Sequence, residues 1–172
     1  MAFSYEPGTG KSFALKYYAS QQSNVFYVGC EEYFKKKTFL QKILQAMGLV
    51  QTGIAPEMVD TIVFNLRKID KPLIIIDEFD KLNDKVMQIF KTLYNQTEEL
   101  CGFILCGAPY FRERIEKGAR ANRQCYVEIY SRIGRNFLQL RKTMAQDVKM
   151  VCEANGVKDA GDVAEILQTS QV

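Results

Sequence analysis

The chain has 172 residues, 47% of them hydrophobic and 25% charged, with a formal net charge of +3. That composition supports one α/β domain with a buried core, or a domain plus a short appendage, and it excludes a disordered chain. There is no histidine, which excludes His triads, His metal sites and His general bases and leaves carboxylates, Lys/Arg, hydroxyls and bound metal to carry chemistry. No apolar run approaches the roughly 20 residues of a membrane helix. The start, Met1-Ala2-Phe3-Ser4, lacks the basic and apolar regions of a signal peptide. The expected location is cytoplasmic, with no membrane partner. Five cysteines (Cys30, Cys101, Cys106, Cys125, Cys152) without a CxxC pair read as buried reduced thiols.

Strand-like and helix-like segments alternate, as in a parallel sheet with crossover helices. Phe3 to Tyr5 reads as the tail of a strand, Gly8 to Gly10 as a turn and Lys11 to Gln21 as a helix. Asn24 to Cys30 is a β-branched and aromatic strand. Lys37 to Met47 carries apolar residues at helical spacing and stops at Gly48; Pro56 to Ile69 is the next helix. Leu73 to Ile76 is a continuous apolar run, the pattern of a strand covered on both faces. Asp84 to Thr97 reads as a helix, Gly102 to Cys106 as a buried strand and Tyr110 to Gly118 as a short helix. Asn136 to Leu140 is the last strand. Two terminal helices, Ala145 to Asn155 and Ala160 to Thr169, are split by Gly156. The first strand is short, and the last helices resemble the beginning of a further subdomain. The chain is therefore expected to be a fragment of a longer protein. The aromatic residues Tyr17, Tyr18, Phe26 and Tyr27 are expected in the core.

Two motifs carry chemistry. Glu6-Pro7-Gly8-Thr9-Gly10-Lys11-Ser12 sits between a strand end and a helix start. Glycines let backbone N–H groups approach phosphate oxygens, and the helix adds its positive dipole end. Gly8, Thr9, Gly10, Lys11, Ser12 and Phe13 are the expected ATP-binding residues. Lys11 would reach the β- and γ-phosphates, and the Ser12 hydroxyl would ligate Mg²⁺. Tyr5 stands where the GxxxxGK[ST] pattern has its first glycine. About 65 residues further on, Leu73-Ile74-Ile75-Ile76 ends in Asp77-Glu78. Asp77 at the C-terminal edge of a parallel sheet would hold Mg²⁺, and Glu78 would orient the attacking water.

Gly8 to Ser12 (GTGKS), Ile74 to Glu78 (IIIDE), Gly102 to Pro109 (GFILCGAP) and Ser131 to Arg135 (SRIGR), in this order, resemble an AAA+ ATPase. The closer resemblance, on NVFYV, LIIIDEFDKL, GFILCGAPYFRERIEKG and YSRIGRNF, is to the phage Mu B-type DNA transposition ATPases. It covers roughly Phe3 to Asp147. Helicase loaders and replication initiators share much of it. The resemblance implies an α/β P-loop NTPase of AAA+ type, a three-layer αβα fold with a central parallel sheet. Residues 1–144 would form the nucleotide-binding core and 145–172 the start of a truncated helical lid. It further implies that Arg132 is an arginine finger acting in trans, with Arg135 as the alternative. The strand Gly102 to Cys106 would be the sensor strand. The family places Asn, Thr or Ser just beyond that strand; here stand Gly107, Ala108 and Pro109.

Proteins of this class form rings or filaments, commonly on DNA. Between Arg112 and Lys142 nine basic residues face only Glu113, Glu116 and Glu128. Within this band Arg112, Arg114, Lys117, Arg120 and Arg123 are the candidate duplex-DNA contacts; a neighbour's nucleotide or a solvated face are the other readings. Lys35-Lys36-Lys37 fits DNA or a helix start equally. The expected function is Mg-dependent ATP binding and hydrolysis that drives homo-oligomer assembly on DNA and recruits a transposase-like partner. A nucleotide-gated adaptor with little turnover and a replication helicase loader are the alternatives.

Overall fold

The computed structural model describes residues 1–4, 8–50, 52–133, 137–139 and 143–170. Its architecture follows from one strand. Side chains of successive strand residues point to opposite faces, and Ile74, Ile75 and Ile76 are all fully buried, so both faces of β3 (Leu73–Asp77) are covered. β3 lies between β2 (Val25–Gly29) and β4 (Gly102–Gly107), and β4 in turn pairs with β1 (Ala2–Ser4). β5 (Phe137–Gln139) closes the far edge beside β1. Every pairing is parallel and the order is β2-β3-β4-β1-β5.

Parallel neighbours need crossovers, and helices supply them. α1 is Lys11–Ser20, α2 Lys36–Ala46, α3 Ala55–Leu66 and α4 Asp84–Gln96. α5 is Tyr110–Arg120 and α6 Tyr126–Ile133. α2 buries Phe39, Leu40, Ile43 and Leu44, while α3 buries Met58, Val59, Ile62, Val63 and Leu66. Both are stripes of helical period. Pro56 stands in the first turn of α3, where no N–H is needed. Asn83 caps α4 by accepting the Val86 N–H at 3.2 Å. Phe79, Phe90 and Phe111 meet in tilted and edge-to-face contacts beneath the sheet's acidic end. The α/β fold with its central parallel sheet is the one the alternation of segments implies.

Two features depart from the sequence reading. α6 is an additional helix; its buried Tyr126, Ile129 and Ile133 have helical spacing that the β-branched and aromatic composition masks. Tyr17 and Tyr18 are not core residues. α1 has no buried residue, and Phe13, Tyr17 and Tyr18 are exposed. The half-buried pair Leu15 and Ala19 lies one turn apart on one face, which carries Tyr17 to the opposite side. Phe26 is buried and Tyr27 half-buried. All five cysteines are reduced, and only Cys101 is not fully buried. Burial pushes the Cys101 thiol up to about 12 and the Cys125 thiol up to about 11.

The chain divides into two compact units, Met1–Gln139 and residues 140–172. In the second, α7 (Ala145–Ala154) and α8 (Ala160–Thr169) form a helical pair. The Asp159 carboxylate caps α8 by accepting the Gly161 and Asp162 N–H groups at 2.8 and 3.1 Å. Among the described residues no helix is long and apolar enough to cross a membrane.

Replacing Ile76 by alanine removes a fully buried side chain from β3 and lowers unfolding free energy by about 2–5 kcal/mol in urea titration. Tyr17→Ala, on the exposed face of α1, changes it by about 0.5 kcal/mol or less.

Candidate functional site

The loop between β1 and α1 is described from Gly8 onward; Tyr5, Glu6 and Pro7 lie outside the described residues. Gly8 (φ 81°) and Gly10 (φ 77°) both occupy the left-handed region, with open space where a side chain would stand. Backbone conformation, not crowding, therefore selects glycine here. α1 starts at Lys11 with Gly10 before it and no side-chain cap. The first-turn N–H groups of a helix have no partner inside the helix, and Gly10 has no side chain with which to cap them. Lys11 Nζ lies 3.4 Å from Thr9 Oγ1. Ser12 is half-buried and Phe13 is exposed.

The loop follows β1, the acidic pair ends β3, and β4 runs between those two strands. β3 pairs Ile76 with Leu105 and β1 pairs Ser4 with Gly107, so the ends of β3 and β1 flank the end of β4, where the Cys106 thiol stands. Burial, reinforced by Asp77, holds this thiol far above its ordinary range against the opposing pull of Lys11. The two motifs therefore converge on one stretch of the sheet's C-terminal edge, which is where open α/β sheets bind ligands. No sequence signal gave Cys106 this position.

Asp77 is 2% exposed. Its Oδ2 accepts the Tyr27 hydroxyl at 2.8 Å and its Oδ1 accepts the Glu78 N–H at 2.9 Å. Burial, then the hydrogen bond to Asp77, pushes the Tyr27 phenol well up. Tyr27 is a second contributor that the sequence reading assigned only to the core. Glu78 has φ 56° and ψ 38°, a left-handed conformation that costs a non-glycine residue about 1–2 kcal/mol. Buried neighbours impose it: Asp77 on one side and the fully buried Phe79 on the other. The Glu78 side chain is consequently turned outward, 46% exposed and 3.0 Å from Lys81 Nζ. Lys81 also lies 3.5 Å from Glu31, and the hydrogen bond to Glu78 raises its pKa.

The remaining sequence candidates are arranged as follows. Arg132, on α6, pairs with Glu98, lies 3.5 Å from Asn95 Oδ1 and sits over the Tyr94 ring at 5.2 Å. Its guanidinium is thus held against α4 and the turn that follows. Arg135 lies outside the described residues. On α5, Arg112 and Arg120 both pair with Glu116, at 2.8 and 3.2 Å, and Lys117 pairs with Glu113 at 3.5 Å. These pairs are more than half exposed on the basic side and hold little energy. Arg123 and Lys35 to Lys37 are exposed. Arg114, also a candidate DNA contact, is engaged within the chain. Its guanidinium donates to the Asp80 carbonyl at 2.8 Å, to Asp84 at 2.9 Å and to the Tyr126 hydroxyl at 3.1 Å. That engagement makes it a brace between α4, α5 and α6.

A model of the AAA domain matches residues 6–115, well over half of the chain. The chain belongs to the AAA domain family. This AAA core is similar in fold to the Aeropyrum pernix Orc1 protein, solved in complex with DNA, with a TM-score of 0.63 at 17% identity over 90% of this chain. It is similar also to Cdc6p from Pyrobaculum aerophilum, with a TM-score of 0.60 at 12% identity over 88% of this chain. The chain spans about two fifths of the length of these structures, 42% and 41% respectively. No curated protein matches the AAA chain in sequence.

The oxygen donors at the convergent edge, Ser12 Oγ and the Asp77 carboxylate, have the hardness that suits Mg²⁺, which takes one or two protein oxygens and fills its shell with water and phosphate. The strain at Glu78 is directly measurable. Glu78→Gly and Glu78→Ala both delete the carboxylate, but only glycine relaxes at φ 56°. The glycine variant should be the more stable by about 1 kcal/mol in denaturant titration.

Proposed function

We propose that this chain is the nucleotide-binding core of a Mg-ATP-dependent ATPase that assembles on duplex DNA and recruits or activates a protein partner. The observation that carries the reading is the strand register, which sets the end of β1, followed by the glycine turn and α1, and the end of β3 with Asp77 on either side of β4 at one edge of the sheet. Backbone N–H groups from Gly8 to Ser12 hold the phosphates, with Phe13 in the first turn behind them. Lys11 neutralises charge on the β- and γ-phosphates. Ser12 and Asp77 hold Mg²⁺, which when bound offsets the charge of the phosphate oxygens. Glu78 orients and polarises the attacking water; in-line phosphoryl transfer needs positioning more than strong basicity, so a carboxylate serves without histidine.

Residues 1–144 act as the core and 145–172 as the start of a lid. The separate compactness of residues 140–172 supports that division. Arg132 is proposed as the finger that reaches a neighbouring subunit's ATP, and for that it exchanges its pairing with Glu98 for the phosphoryl charge. The exposed basic residues Arg112, Lys117, Arg120 and Arg123 are the proposed DNA contacts. The fold likeness to an Orc1 protein solved with DNA is consistent with this use. Transposition is the preferred role, because the Mu B-type resemblance runs through the longest stretches of sequence; a helicase loader, which shares the same motifs, is the neighbouring role. A nucleotide-gated adaptor is the second reading, favoured by the lack of a polar side chain at Gly107, Ala108 and Pro109.

Lys11→Ala should abolish nucleotide binding, and Glu78→Gln should keep binding while turnover falls by about a hundredfold. Retention of wild-type affinity by the first, or of wild-type turnover by the second, removes that residue from its role. Sedimentation with duplex DNA, with and without Mg-ATP, separates the two readings. The ATPase reading expects ATP-dependent co-assembly that weakens steeply between low and moderate salt. Nucleotide binding without DNA association points instead to the adaptor.

A further inference from the structure

The end of β4 poses a question that the Glu78 reading leaves open. No polar side chain stands at Gly107, Ala108 or Pro109, and none fits at Gly107. A Cβ there would collide with Asp80 Oδ1 and press on Phe111. The space belongs to the Asp80 carboxylate, which arrives from the short 3-10 turn Phe79–Lys81 at the end of β3.

Asp80 is 9% exposed and is used on every side. Oδ1 accepts the Ala108 N–H at 2.9 Å, and Oδ2 accepts the Tyr110 hydroxyl at 2.7 Å. Its carbonyl accepts Arg114 Nη1 at 2.8 Å. Arg114 continues to Asp84 and to Tyr126, the first residue of α6. One residue thus ties the β3 turn to the end of β4 and to the start of α5. It stands two positions beyond Glu78, whose left-handed backbone needs outside support. The other contact nearby, Lys81 with Glu78 and Glu31, is largely solvated and cannot fix the turn to the same degree. Buried carboxylate hydrogen bonds to a backbone N–H and a hydroxyl can.

We infer that Asp80 is a positioning residue for turnover: its buried carboxylate clamps the Glu78-bearing turn to the end of β4, in the place where this chain lacks a polar side chain. The inference rests on the hydrolytic reading of Glu78 given above. Asp80 touches neither phosphate nor water in this role. It fixes where Glu78 stands relative to the sheet edge, and it acts on the hydrolytic step rather than on nucleotide affinity.

The test compares Asp80→Ala and Asp80→Asn in the full chain. Nucleotide affinity is measured with a fluorescent ATP analogue, and single-turnover hydrolysis is measured well below each variant's unfolding midpoint. Asparagine still accepts the Ala108 N–H and can engage the Tyr110 hydroxyl; alanine does neither. Asp80→Ala should slow turnover about tenfold or more while affinity shifts by less than about threefold. Asp80→Asn should return turnover to within about threefold of wild type. If Asp80→Ala does not fold, Gly107→Ala asks the same question from the facing strand, since its methyl displaces the carboxylate; it should show the same split. Wild-type turnover in a folded Asp80→Ala, an equal fall in affinity and rate, or no recovery by asparagine each overturns the inference. Normal turnover in Glu78→Gln removes the reading of Glu78 and this inference with it. Loss in Glu78→Gln beside unchanged Asp80→Ala removes the clamp alone.

Discussion

The geometry of the site depends on a chain reversal at the end of β3. Three isoleucines bury the strand on both faces, and the burial does not stop at its last residue: Asp77 is 2% exposed and Phe79 is fully buried. Glu78 lies between two anchored neighbours and is forced into a left-handed backbone conformation. A carboxylate is thereby presented at the surface from the end of a strand whose Ile74, Ile75 and Ile76 are fully buried. Strain of this kind persists only where the surroundings over-determine it. Here the surroundings are the phenylalanine cluster of Phe79, Phe90 and Phe111 beneath the turn and the hydrogen bonds of Asp77.

Electrostatics at the same edge follows from burial. Tyr27, Cys30 and Cys106 all have their pKa values pushed up, first by desolvation and then by the nearby carboxylates. These three groups stay neutral at physiological pH. They serve Asp77 as hydrogen-bond donors or apolar walls and do not compete with it for a ligand. Positive charge at this edge comes from Lys11 and the opening of α1 on one side of β4 and from Lys81 beside Glu78 on the other.

α5 and α6 are held to this edge by side chains the basic-band description treats as a uniform surface. Arg114 is half-buried in a network with Asp80, Asp84 and Tyr126, whereas Arg112, Lys117 and Arg120 stay outside with glutamate partners one turn away. The same residue type, two positions apart on one helix, has a bracing position in one case and a solvated one in the other. Helical period decides which: Arg114 and Ile115 lie toward the buried side that also holds Phe111 and Gly118.

The sequence by itself determined the order of the elements other than α6, the parallel sheet and the two motif positions. Those rest on local patterns: the apolar run before Asp77, the glycine turn before Lys11, and helical stripes such as Phe39 to Leu44. The AAA family match covers the same stretch. What only the tertiary structure decided were relations between segments distant in sequence. The ends of β1 and β3 on either side of β4, Asp80 at the end of β4, and Arg114 inside a network depend on strand order and on crossings that no local pattern encodes. The exposure of Tyr17 and Tyr18 is of the same kind: a period of 3.6 shows which residues share a face, but the layer packed beside that face decides whether it is buried.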